Sequence, residues 1–298
     1  MENMNNMLYY DWNNLIVLDA CRFDIFEQVN DIPGELKMIR SVGCQTIEWV
    51  RGTFGKRKHD DTVYYSSNPF ISESELGKLL PGLKFHRIYN VWKSGYDKAI
   101  KNVPPRNVNK IVYETYEMHK EKRKVIHYNN PHIPFLTGDE KVLGKNYSEM
   151  KKDLEAGLIT ASDIRLAYIE TTREVLSAVK ELLAVLKGKT IITADHGDML
   201  GEKGLWGHGT RHRGILEQVP LLVVKPDEEL IIEQLDSLGY MDKPQTYIYA
   251  WGNNEKRKSM KGRECEVLAR GKKNTCTVKF LDNGQVESIS RNALRKVK

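Results

Sequence analysis

From Thr160 to Leu186 the apolar positions Ile164, Ala167, Tyr168, Val175, Ala178, Val179, Leu182 and Leu186 recur at helical spacing, and the chain then enters the β-branched run Lys189–Thr193. A long amphipathic helix feeding a short, β-branched strand is the crossover of a parallel βαβ unit, which restricts the chain to an α/β fold. The strand runs on into Thr193-Ala194-Asp195-His196-Gly197-Asp198, so Asp195 and His196 fall at its C-terminal end. Open α/β sheets place their ligands there. A carboxylate beside an imidazole, followed by glycines that let backbone come close, suits a divalent metal. An isolated Asp-His pair would more simply be a helix cap next to a surface histidine, but His208, flanked by Gly207 and Gly209, adds a third donor.

The same reading extends along the chain. Asn14–Leu18 is an apolar strand ending at Asp19, after which Ala20-Cys21-Arg22-Phe23-Asp24 turns toward a helix over 25–29. Leu36–Ile39 is strand-like, and Thr46 can cap a helix reaching about Phe54. Further strands are expected at Thr62–Tyr65, near Arg87–Tyr89, at Lys124–Tyr128 and at Val219–Val224, with helices over 73–80, from Pro105 through Met118, and over 230–238. After Tyr128 the loop Asn129-Asn130-Pro131-His132-Ile133-Pro134 is stiffened by its prolines, which hold His132 in place. His127, inside the strand, reads as a satisfied core histidine. Arg211 and His212 are candidates to hold a substrate phosphate, with ordinary surface charge as the alternative.

The run TADHGDMLGEKGLWGHG resembles the signature of the sulfatase and alkaline phosphatase superfamily, and further segments match in order over roughly residues 10 to 241. The resemblance implies an α/β fold of the alkaline phosphatase/sulfatase type, a mainly parallel sheet between helices. It implies that Asp19 joins Asp195 and His196 as a metal ligand, with Arg22 and Asp24 locking the loop. It puts a nucleophile at the helix N-terminus after residue 40, where Thr46 resembles the threonine of the phosphodiesterase branch and Cys44 fits the sulfatase spacing. Sulfatases convert their cysteine to formylglycine within Cys-x-Pro-Ser-Arg, whereas Cys44-Gln45-Thr46-Ile47-Glu48 has neither the proline nor the arginine. Thr46 is therefore preferred. The Pro-His-x-Pro segment implies that His132 contacts the transferred group, and His208 aligns with a residue binding metal or the leaving oxygen. Asn129 or Asn130 stands where two-metal relatives offer an aspartate, which leaves a complete second metal site in question.

The expected function is thus that of a metal-dependent hydrolase or transferase acting on small anionic phosphate esters through a covalent phospho-enzyme. Zinc, manganese and calcium all suit the donors. The alternatives are a sulfatase using a modified Cys44 and a nonenzymatic binding protein. A formal charge of +6 suits an anionic substrate without demanding nucleic acid. No apolar run approaches the roughly 20 residues of a membrane span and the polar start lacks a secretory pattern, so no membrane partner and a cytoplasmic location are expected. Cys21, Cys44, Cys265 and Cys276 are scattered without a CxxC pair, and are expected reduced. The domains expected are a hydrolase over 1–241, a polar linker over 242–260 and, over 261–298, short alternating strands with an Asp282-Asn283-Gly284 turn that resemble a small SH3-like or KOW-like β-barrel. That module is a candidate to dock a protein or, less favoured, a nucleic acid, since Phe280 is its lone aromatic.

Overall fold

The structure, a computed structural model, describes residues 6–209, 214–225, 246–270 and 274–297. Two units separate along the chain, residues 1–226 and 227–298. The first is built from strands β1 (Asn14–Leu18), β2 (Gly34–Arg40), β3 (Lys58–Ser66), β4 (Lys84–Asn90), β5 (Arg123–Tyr128) and β6 (Thr190–Ala194), a short pair β7 (Met199–Leu200) and β8 (Trp206–Gly207), and β9 (Gln218–Val224). Its helices are α1 (Phe23–Val29), α2 (Thr46–Phe54), α3 (Glu73–Leu79), α4 (Val91–Ser94), α5 (Pro105–Thr115), α6 (Tyr147–Glu155) and α7 (Ala161–Leu183).

Seven strands form one sheet in the order β2-β9-β6-β1-β5-β3-β4. Neighbours pair in parallel except at β9, which runs antiparallel to both β6 and β2. The expected α/β class with a mainly parallel sheet is therefore the one observed. β1 is central because it is apolar on both faces: Ile16 and Leu18 join Phe26, Val108, Val112, Val175 and Val179 on one side. Leu15 and Val17 join Trp49, Val50, Phe54 and Leu76 on the other. The period-two pleat thus assigns α1, α5 and α7 to one face of the sheet and α2 and α3 to the opposite face.

Helix α7 is the expected crossover, closed at its start by a Thr160/Asp163 capping box. Helix α6 has an equally legible signal in Asn146-x-x-Glu149, a complete capping box, although its helix was not among those expected. Thr46 differs from expectation. Gln45 is the N-cap of α2 and Thr46 is the first helical residue, its hydroxyl engaged with Asp19 and Asn68. The helix expected over 230–238 lies outside the described residues.

In the second unit β10 (Tyr247–Tyr249), β11 (Glu264–Arg270), β12 (Thr275–Phe280), β13 (Val286–Ser290) and β14 (Leu294–Lys296) form an antiparallel sheet in the order β13-β12-β11-β10-β14. Part of the stretch expected as linker belongs to this sheet, because β10 pairs with both β11 and β14 and Met260 enters the core. That core also contains Tyr249 beside Phe280, with Trp251 packed against it, aromatics contributed by the stretch expected as linker. No helix of the described residues is long and apolar enough to cross a membrane. All four cysteines are buried and unbridged.

Candidate active site

The parallel register brings three strand ends level. Leu18 pairs with Tyr128 on one side and Ala194 on the other, so Asp19 and Asp195 emerge side by side. Asp19, Asp195 and His196 are all essentially inaccessible to solvent. His196 Nε2 lies 3.4 Å from Asp195 Oδ2 and 3.7 Å from Asp19 Oδ1, so the three expected metal ligands converge. Asp195 Oδ1 accepts from the backbone N–H groups of Ala20 and His196, which orients the carboxylate and leaves Oδ2 facing inward. His196 Nδ1 is tied to the Gly197 carbonyl, leaving Nε2 toward the same point.

Thr46 is brought here by α2. Its hydroxyl donates to Asp19 Oδ2 at 3.4 Å and accepts from Asn68 Nδ2 at 3.3 Å. Asn68 also donates to Asp19 Oδ2 at 2.6 Å and so positions that carboxylate, a role the sequence analysis did not assign. Cys44, the rival nucleophile, is turned the other way. It is buried against Met199 and Leu216 with its thiol toward Glu217 Oε1, and is not among the residues lining the cavity.

His132 and His208 stand on the open side of the cage, their rings 5.1 Å apart, with His208 4.2 Å from His196. His208 Nδ1 donates to Asp198 Oδ1 at 2.7 Å, and Asp198 Oδ2 accepts from the Tyr147 hydroxyl at 2.7 Å. Burial opposes charge on His208, but the hydrogen bond and charge of Asp198 outweigh it and raise the imidazole to about 9. His132 is held below the usual histidine range by burial, against the pull of Asp198. Gly207 is required for this arrangement: its φ is +80° and a Cβ there would meet the Tyr147 ring at 2.9 Å. Arg211 and His212 lie outside the described residues. Asn129 lines the cavity, whereas Asn130 is buried and does not.

The Asp19 loop is locked as expected. Arg22 makes a fork to Asp24, through Nε at 2.9 Å and Nη2 at 2.6 Å, and its Nη1 reaches Glu202 at 2.6 Å. From α7, the buried Tyr168 hydroxyl donates to the Ala20 carbonyl and accepts from the Arg22 N–H. Ala20 has φ +60°, a left-handed conformation that such anchors maintain. Tyr168→Phe would orphan both backbone groups and is expected to lower the unfolding free energy by about 1–3 kcal/mol, measured by urea denaturation. An unchanged midpoint would mean that the loop is held without it.

The donor set fits a divalent cation. Burial, and then the neighbouring Asp195 carboxylate, push Asp19 well above the ordinary carboxylate range. Asp195 is drawn down, against burial, by the imidazoles of His196 and His127. Two carboxylates in one dry site thus behave as a pair lacking a positive charge. Asp195 Oδ2 and His196 Nε2 have no hydrogen-bond partner, an arrangement that costs stability unless an ion takes those lone pairs.

The sequence reading missed His127. Its sequence context is that of a satisfied core histidine; instead it packs beside the cage with an unpartnered Nε2, because the pleat of β5 sets it and Val125 on the α2 face, opposite Ile126 and Tyr128. A period-two reading of Lys124–Tyr128 was the available signal, but only the strand order shows that this face meets Asp19 and Asp195.

Beyond Thr46 a cavity of about 590 Å³ opens, with Asp19, Thr46, His132 and His208 at one end and mainly apolar walls of Ile47, Phe70, Leu79, Trp92 and Tyr96.

No family model and no curated protein matches the sequence. Among solved structures, the chain is similar to the soluble domain of lipooligosaccharide phosphoethanolamine transferase A from Neisseria meningitidis, at 12% identity and TM-score 0.47, over 72% of this chain and 77% of that one. It is also similar to a protein in the alkaline phosphatase superfamily from Vibrio parahaemolyticus, at 9% identity and TM-score 0.46, over 96% of this chain and 82% of that one. A third is the lipoteichoic acid synthase from Listeria monocytogenes, at 12% identity and TM-score 0.44, over 94% of this chain and 87% of that one. These likenesses are distant, and what the site can do follows from its own atoms.

Proposed function

We propose that this protein is a metal-dependent hydrolase or transferase of phosphate esters, with Thr46 as its nucleophile. The observation that carries the reading is the convergence of Asp19, Asp195 and His196 beside the Thr46 hydroxyl, with Asp195 Oδ2 and His196 Nε2 buried and unpartnered. Asp19, Asp195 and His196 would hold the cation, which when bound offsets the charge of the transferred group and lowers the pKa of the hydroxyl beside it.

The side chains divide the remaining work. Thr46 Oγ1 attacks phosphorus as its proton leaves toward Asp19 Oδ2, 3.4 Å away. The bond from phosphorus to the ester oxygen breaks, and His208 supplies the departing oxygen with the proton on Nε2, since its other nitrogen is committed to Asp198. His132 binds the oxygens of the transferred group. Water or an acceptor alcohol then displaces Thr46 Oγ1 from phosphorus and restores the hydroxyl. Thr46 also begins α2, whose first N–H groups lack partners within the helix and favour an anion.

The reading is tested with phosphomonoester, phosphodiester and sulfate ester chromogens, each assayed with zinc, manganese or calcium. Metal-stimulated cleavage of a phosphate ester is expected. No metal-stimulated turnover of any ester would leave the fold a binding scaffold, and turnover restricted to sulfate esters would restore the sulfatase reading.

The walls narrow the substrate. Phe70 and Tyr96 are 57% and 49% exposed beside the site, so an incoming ester can cover them. An alcohol portion with a bulky apolar or aromatic group fits these walls. Phe70→Ala is expected to raise KM for an aryl phosphate ester by roughly 5–10-fold, about 1.0–1.4 kcal/mol, with kcat within about twofold. An unchanged KM would place the alcohol portion elsewhere.

A further inference from the structure

We propose that His127 is itself a ligand of the cation proposed above, so that Asp19, Asp195, His196 and His127 form a cage of two carboxylates and two imidazoles that takes zinc in preference to calcium. This rests on the metal-dependent reading of the same site and adds to it a ligand and a metal class.

His127 is fully buried, and its Nε2 has no hydrogen-bond partner. That atom lies 3.7 Å from Asp19 Oδ2 and 3.8 Å from Asp195 Oδ2. Both separations are too long for an N–H···O hydrogen bond, which spans about 2.7–3.2 Å. His196 Nε2 lies 3.7 Å from the other Asp19 oxygen, Oδ1, and 3.4 Å from the same Asp195 Oδ2. Ligands about 2.0–2.2 Å from one zinc ion at tetrahedral angles stand roughly 3.3–3.6 Å apart. Asp19, His127 and Asp195 each offer one ligand atom within 4.8 Å of the other two, His196 reaches the carboxylate pair from the second Asp19 oxygen, and neither histidine donates a hydrogen bond to the pair.

The other ring nitrogen is already committed. His127 Nδ1 lies 2.8 Å from the Tyr64 hydroxyl, which is buried on the same face of the sheet. With Nδ1–H donating to that oxygen, the lone pair falls on Nε2, aimed into the cage. Trp49, its ring 6.0 Å away and nearly edge-on, fixes the plane of the imidazole. Tyr64 is a positioning residue here, since it reaches the ion through His127. A second imidazole moves the site away from all-oxygen coordination, which suits calcium and magnesium, toward the nitrogen-containing sites favoured by zinc.

The test compares wild type, His127→Ala and Tyr64→Phe, each stripped with a chelator, checked by circular dichroism, and titrated calorimetrically with zinc and with calcium. The expected result is a loss of at least about 100-fold in zinc affinity for His127→Ala, about 10–100-fold for Tyr64→Phe, and calcium affinity within about threefold. Zinc-edge X-ray absorption of the wild type, which needs no variant to fold, is expected to count two imidazoles, and the same measurement on His127→Gln one. If wild type binds zinc through a single imidazole, or His127→Ala binds it as tightly as wild type, His127 is only packing and the proposed function stands. If wild type binds no divalent cation, the metal-dependent reading fails and this inference with it.

Discussion

Thr46→Ala is expected to lower kcat for a phosphate ester by on the order of 10⁴-fold or more, because on the proposed mechanism the substitution removes the attacking atom rather than a contact to it. Thr46 sits at the meeting point of α2, Asp19 and Asn68, and no other hydroxyl among the residues lining the cavity contacts Asp19. The loss should be accompanied by disappearance of the phosphoryl adduct that intact-mass measurement detects on rapidly quenched wild type. Thr46→Ser, which keeps the oxygen, should retain both adduct and turnover to within a few tens of fold. Cys44→Ala provides the contrast: its thiol packs against Met199 and Leu216, so turnover is expected to stay within a few-fold of wild type. Full activity in Thr46→Ala, or activity lost only in Cys44→Ala, would move the nucleophile off Thr46.

The second large effect concerns the carboxylate pair. Asp195→Asn keeps the oxygen that accepts from Ala20 and His196 while removing the charge beside Asp19. Without metal the variant is expected to unfold at or above the wild-type temperature, since Asp19 and Asp195 repel in a buried site. With zinc the order reverses. A cation at about 100 times its Kd stabilises wild type by about 2.7 kcal/mol, which for a unit of this size is roughly 5–10 °C in Tm. Asp195→Asn should shift by less than about 2 °C under the same conditions. Equal shifts in differential scanning fluorimetry would show the ion bound elsewhere, and no shift in wild type would show that the pair is not a cation site.

Much of this site is legible in the sequence. An apolar strand followed by a carboxylate occurs at Leu18-Asp19 and again at Ala194-Asp195, and a parallel sheet makes those two ends neighbours. The crossover stripe of α7 likewise announced its strand, since helical spacing over so long a run leaves little else to form. Local chemistry of that kind depends on residues close in sequence. Ambiguity and misreading arose where the outcome depends on partners far along the chain. Cys44 and Thr46 are two residues apart, and nothing local says which faces Asp19. The stretch expected as linker looked polar in isolation, yet Tyr247–Tyr249 has two strands to pair with, one of them contributed by residues 294–296.

His127 marks the boundary most clearly. Its own sequence context, a histidine in an apolar strand, is compatible with a packed core, and the alternation of Val125 and His127 against Ile126 and Tyr128 says only that it shares a face with Val125. That this face opens onto Asp19 and Asp195 follows from β1 lying between β5 and β6, a matter of strand order that hydrophobic pattern does not encode. Residue types and their spacing were enough for the α/β class, the carboxylate-bearing strand ends and the proline-stiffened His132 loop, because propensity and period act over a few residues. The facing of side chains across strands more than 100 positions apart was settled by packing, because burial of both sheet faces leaves one register that satisfies them all.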